Sequence, residues 1–138
     1  MIVPNLMVSD MQASIAFYRD LLGFTLVFAL DDERGMHDDP AGKATVFASL
    51  KWGDAELMLQ TVESLAEDLP VFTNTSKPTA SGTIFLRGYH PDQIADKDVS
   101  AIIVKGPVKQ WYGMLELYLR DPDGYIICLA APDGPPPA

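Results

Sequence analysis

Residues 1–28, MIVPNLMVSDMQASIAFYRDLLGFTLVF, read as strand, capped helix, stop and strand. Residues 3–8 alternate about an apolar face at Leu6 and Val8, as a half-buried strand does. Ser9 or Asp10 can cap the helix that follows, and Ser9 with Gln12 fits a capping box. Met11, Ile15, Tyr18 and Leu22 recur at helical spacing and make one apolar stripe. Gly23 ends the helix where a left-handed residue is wanted. Phe24, Leu26 and Phe28 then alternate as a second strand.

Working outward, Asp31 to Lys43 reads as a long loop rich in acid: Asp31, Asp32, Glu33, Asp38 and Asp39. Thr45–Trp52 is a third strand, and Gly53-Asp54 turns it into a fourth, Ala55–Val62. Residues 63–80 form a linker, with a helix-like piece at Glu63–Asp68 and then a Thr/Ser/Asn/Pro stretch. A second set of elements begins at Ser81–Leu86. Its helix, within Pro91–Asp98, is much shorter than the first, because no long apolar stripe follows Pro91. Val99–Val104 is β-rich and Gly106-Pro107 breaks it. Met114–Leu119 pairs with Tyr125–Ala130 around Asp121-Pro122-Asp123-Gly124. The Pro/Gly-rich tail 132–138 is expected to be mobile. The expected fold class is α+β, a divergent duplication of β-α-β-β-β within one domain, residues 1–138. Module one is 2–62 and module two, with the shortened helix, is 81–131.

Composition narrows the function classes. A chain of 138 residues, 48% hydrophobic, can bury a real core. No apolar run approaches the ~18 residues a membrane helix needs, and no export signal is visible. The single Cys128 cannot form an internal disulfide, which fits a cytoplasmic location. The net charge of −9, from 10 basic and 19 acidic residues, argues against nucleic acid and is compatible with a cationic ligand. Acidity serving solubility alone is the plainer reading.

Two motifs carry a family resemblance. Val8-Ser9-Asp10, Ser14, Phe17-Tyr18 and Leu22-Gly23-Phe24 resemble the opening of a βαβββ module of the vicinal oxygen chelate superfamily. Glu116 to Ile127, with the Asp-Pro-Asp-Gly turn, resembles that family's closing hairpin. The family contains glyoxalase I, bleomycin resistance proteins, fosfomycin-resistance enzymes and extradiol dioxygenases. The resemblance implies that each sheet packs one face on its helix and curves the other around a cavity.

Strand parity assigns those faces. Leu6, Val8, Leu57 and Leu59, with Leu115, Leu117, Leu119, Ile127 and Leu129, belong under the helices. The opposite set is Asn5, Met7, Glu56, Met58 and Gln60, with Met114, Glu116, Tyr118, Ile126 and Cys128; Phe47 and Ser49 join it. This mixture of Met, aromatic and polar groups suits a binding cavity, and equally an ordinary half-exposed sheet face. Gln110-Trp111-Tyr112-Gly113-Met114 resembles the aromatic approach to the family's penultimate strand. Its aromatics can stack on a planar ligand or serve core or interface packing.

Metal-dependent members hold a divalent ion through His, Glu or Gln. The resemblance maps those positions to Val3, Gly82 or Thr83, and Cys128, with only Glu56 or Gln60 available on the fourth strand. Such a set does not supply three or four converging N/O donors, so no metal and no cofactor are expected. His37 and His90 read as solvated loop residues and Cys128 as a small buried hydrophobe. Glu56 and Glu116 are candidate catalytic carboxylates if both face the cavity; the alternative makes them two partly solvated carboxylates, or partners of Lys51 and Arg120.

The expected function is therefore metal-free sequestration of a small organic ligand, cationic or aromatic. The expected lining is Phe47, Met58, Trp111, Tyr112, Glu116 and Tyr118. The acidic loop 31–39 can steer a cation. The resemblance to the bleomycin-resistance branch further implies a homodimer. The alternatives are a metal-dependent lyase, isomerase or dioxygenase of glyoxalase type with a remodelled site, and a dimeric module with no small-molecule role.

Overall fold

A computed structural model of the chain describes residues 1–40 and 44–135. They form two compact units, Met1–Pro78 and Thr79–Ala138.

Unit one begins with β1 (Asn5–Val8) and α1 (Met11–Ile15), which continues as a wider π-helical segment, Ala16–Leu21. Asp10 caps α1 by accepting the Ala13 amide proton at 3.1 Å. Asp10, and not Ser9, thus stands at the cap position, and the Gln12 side chain donates to the Pro40 carbonyl at 3.3 Å. Gly23, at φ +81°, ends the helix as expected. The remaining strands are β2 (Thr25–Asp31), β3 (Met36–His37), β4 (Thr45–Trp52) and β5 (Ala55–Thr61); helix α2 (Val62–Asp68) follows directly. Val62, expected at the end of the fourth strand, is the first residue of α2. The sheet order is β1-β5-β4-β2-β3, with β1 parallel to β5 and the other pairs antiparallel.

The acidic loop is shorter than the sequence suggested, since β3 pairs back on β2 through Ala29–His37 and Leu30–Met36. A bulge lies between Leu26 and Phe28. Leu26 opposes Leu50, whereas Phe28 opposes Ser49, so the bulge sends these two residues to opposite faces. One face packs on α1, with β4 and β5 against the helix; Met11, Ile15, Tyr18 and Leu22 of the helical stripe and Val8, Ala48, Leu50, Leu57 and Leu59 of the strands are all buried. Burying each large apolar side chain of this stripe contributes roughly 1.5–3 kcal/mol.

Unit two repeats the strand order without the long helix. Its strands are β6 (Thr83–Arg87), β7 (Ile103–Lys109), β8 (Met114–Arg120) and β9 (Ile126–Pro132), ordered β6-β9-β8-β7, again with first and last parallel. A 3-10 turn, Pro91–Ile94, replaces the helix and packs on β8 and β9. Leu117, Leu119, Ile127 and Leu129 are buried as parity required.

Two stretches of unit two differ from the expectation. Val99–Val104 is mostly turn: Ser100–Ile102 is a 3-10 piece and the strand begins at Ile103. Gly106-Pro107 does not break β7, which runs through it with a shift in register between Lys105 and Val108. Gly106 makes that possible. It sits at φ +96°, and a Cβ there would meet the Glu116 carbonyl oxygen at 2.5 Å. At the tail, β9 reaches Pro132 and the Asp133 amide donates to the Gly113 carbonyl at 3.1 Å; the expectation for 136–138 lies outside the described residues.

Candidate functional site

In unit one the sheet face away from α1 carries Phe47, which opposes Leu30 on one side and Gln60 on the other. Phe28 stacks on Phe47 with centroids 6.0 Å apart. Gln60 is buried and uses both ends of its amide. It accepts from Asn5 Nδ2 at 2.9 Å, and its Nε2 donates to Ser64 Oγ at 2.9 Å and Asp68 Oδ2 at 2.7 Å. Thr61 caps α2 through the Ser64 amide at 3.3 Å. The helix after β5 is thereby tied to the sheet by two successive residues.

Opposite α2, the end of β2 is organised by Asp31. Its Oδ1 accepts from the amides of Glu33 (2.9 Å) and Gly35 (2.7 Å), and its Oδ2 lies 2.7 Å from His37 Nε2. The His37 ring first, and then these amides, hold the Asp31 carboxyl below the usual range. His37 is thus a partner of Asp31, not a solvated loop residue.

Between this hairpin, the start of β4 and α2 lies a cavity of about 730 Å3. Leu30, Val46 and Phe47 give it an apolar lining. Asp31, Asp32, Glu63, Glu67 and Asp68 bring five carboxylates to it, against one guanidinium, that of Arg34, among the described residues.

In unit two, Glu116 is fully buried at 0% exposure yet has no ion-pair partner among the described residues. Its carboxylate accepts from the Tyr112 hydroxyl, from Tyr118 Oη at 2.9 Å and from Gln110 Nε2 at 3.1 Å. Burial works to raise its pKa, but these donors and the Lys105 charge prevail and hold it below the usual glutamate value. The bond to Glu116 pushes Tyr112 up to about 12. Burial, more than Glu116, raises Tyr118 further still. Cys128, opposite Tyr118, is buried, and that burial pushes its thiol up to about 11.

Of the six residues expected to line the cavity, Phe47 and Met58 belong to unit one and Trp111, Tyr112, Glu116 and Tyr118 to unit two. Phe47 lines the unit-one cavity; Met58 shares that sheet but does not line the cavity. In unit two, Trp111, Tyr112, Glu116 and Tyr118 are contiguous, with Trp111 packed edge-on to Tyr112 at 5.2 Å. Trp111 is 79% and Tyr112 44% exposed. Glu56, directly across the strand pair from Lys51, accepts from Ser49 Oγ at 2.9 Å, and Glu116 bonds to tyrosines; among the described residues neither forms an ion pair with Lys51 or Arg120. Sequence reasoning missed Arg34, Glu63, Glu67, Asp68 and Gln110. Glu63 and Glu67, one helical turn apart, were the available signal.

The family model for the glyoxalase/bleomycin resistance protein/dioxygenase superfamily matches residues 2–129. The chain belongs to this superfamily. Among solved structures, virulence protein STM3117 of Salmonella typhimurium is 26% identical with TM-score 0.64, over 96% of each chain. A family enzyme of Burkholderia phytofirmans is 15% identical with TM-score 0.71, over 95% of this chain and 97% of that one. TnmS3, an antibiotic-binding protein of Streptomyces, is 21% identical with TM-score 0.63, over 95% and 93%. A comparison with curated protein sequences gave no significant match.

The metal site that some superfamily members carry can be tested on this chain's donors. Val3 precedes β1, Thr83 is an exposed neutral residue of β6, and Cys128 is a closed-off thiol that resists ionisation. The Gln60 amide is committed at both ends. Among the described residues, no three His, Cys, Asp or Glu side chains gather where they could hold an ion. This donor set does not fit a divalent metal.

Proposed function

We propose that this superfamily member binds and sequesters a small organic molecule without metal, with the unit-one cavity as its principal site. The observation that carries this reading is the cavity itself. Its volume of about 730 Å3 falls in the range of ligand pockets, and its lining joins an apolar patch to polar groups. The structure of an antibiotic-binding protein, TnmS3, shares the fold and supports sequestration as a use of it. The exposed Trp111 and Tyr112 of unit two, above the Glu116 carboxylate, supply a second ligand-facing surface where a planar group stacks. Pairing of two chains belongs to the same reading, and light scattering measures it.

The test is thermal unfolding of chelator-treated protein with a panel of aromatic and aliphatic compounds. A binder raises the melting temperature without metal, and Phe47→Ala reduces the rise. A rise that appears only after zinc, iron or manganese is restored, or near-stoichiometric metal in the purified protein, would overturn the proposal in favour of glyoxalase-type chemistry.

A further inference from the structure

The lining of the unit-one cavity also indicates which chemical class it takes, provided that it is a binding site at all. We propose that the cavity selects an organic cation, an alkyl or arylalkyl amine. The amine's carbon body would lie on Leu30, Val46 and Phe47, and its ammonium would meet the α2 carboxylates.

Three observations support this. First, three of the five carboxylates are not engaged by the described residues. Asp31 is held by His37 and two amides, and Asp68 by Gln60; Asp32, Glu63 and Glu67 have no hydrogen-bond or ion-pair partner among the described residues. Second, like charges one turn apart on α2 repel, and the short helix is kept in place by Gln60 and Thr61 at its start. A bound ammonium relieves that repulsion. Third, Thr45 lines the same cavity at 7% exposure, and its hydroxyl has no hydrogen-bond partner among the described residues, an unmet polar group in the wall. A neutral or anionic ligand of the same shape would leave the carboxylates unpaired or add a sixth negative charge beside them.

Monodansylcadaverine carries an aromatic body, an alkyl arm and a primary ammonium, and its fluorescence reports transfer out of water. Its N-acetylated form keeps the body and loses the charge. With the full-length protein, the amine should bind at least about tenfold more tightly than the acetylated probe, the scale of a charge-assisted hydrogen bond. The exposed double substitution Glu63→Gln with Glu67→Gln should remove most of that preference, and Arg34→Gln should tighten amine binding. Equal binding of the two probes would overturn cation selectivity and leave the binding reading standing. A preference that survives the double substitution would place the cation elsewhere and overturn the assignment. Binding of neither probe up to about millimolar concentration would overturn the amine class; melting shifts with neutral compounds would then separate that failure from failure of the binding reading.

Discussion

Single side chains carry several separable costs in this protein. Ser14 lies under α1 with no exposure, and its hydroxyl has no hydrogen-bond partner among the described residues. Stranding a hydroxyl costs about 1–3 kcal/mol, so Ser14→Ala should raise unfolding stability in urea by about 1 kcal/mol. A loss of that size would instead reveal a partner for Oγ. Tyr112 and Glu116 give a pH signature at both ends. Folded Tyr112 holds its proton more tightly than the unfolded phenol. Its contribution is therefore complete below the ordinary phenol value of about 10, and it fades as pH rises towards about 12. Glu116, held low, works the other way: its contribution is complete above the ordinary carboxylate range and fades in acid. Ultraviolet titration of the wild type minus Tyr112→Phe should show one phenolate appearing well above pH 10. A difference step near the ordinary value would mean that the hydroxyl does not bond to Glu116.

At the scale of elements, Gln60 matters most for the cavity, because it joins β1, β5 and α2 through one amide. Gln60→Leu should cost about 1–3 kcal/mol. Hydrogen exchange should locate the loosening in α2, with weaker ligand-induced stabilisation. Uniform loosening across unit one would show that Gln60 supports the sheet and not the helix. The sequence announced some elements well and others poorly, for physical reasons. Thr45–Trp52 was legible to the residue because it is largely apolar, β-branched or aromatic, with polar groups only at Ser49 and Lys51 inside it, and ends at a Gly-Asp turn. β7 was misplaced because Gly106-Pro107 is ordinarily a breaker, whereas here the strand runs through it with Gly106 close against the Glu116 carbonyl, where no side chain fits. The bulge at Val27 left no local mark, since Leu26 and Phe28 are apolar on either face. The Trp111–Tyr118 cluster could be read from one stretch of chain. The cavity could not, because its acid comes from the hairpin after β2 and from a helix that follows β5.

For the whole molecule, the charge of −9 sets competing salt responses. Screening eases self-repulsion, so raising salt from about 20 to about 200 mM should increase the melting temperature of the unliganded protein by a few degrees. The same screening should weaken monodansylcadaverine binding. If salt moved stability and amine affinity in one direction, general acidity and not the cavity would be governing the ligand. The two units share a further property through their sheets, in each of which the first strand is parallel neighbour to the last: Asn5 pairs with Met58, and Thr83 with Ile126. On the ribosome, β1 therefore emerges long before its only partner, and its edge stays open until β5 has been synthesised. Unit one can close while unit two is still being made. Unit two must wait for β9, so β6 spends that interval as an unpaired strand, when pairing with another chain competes with folding.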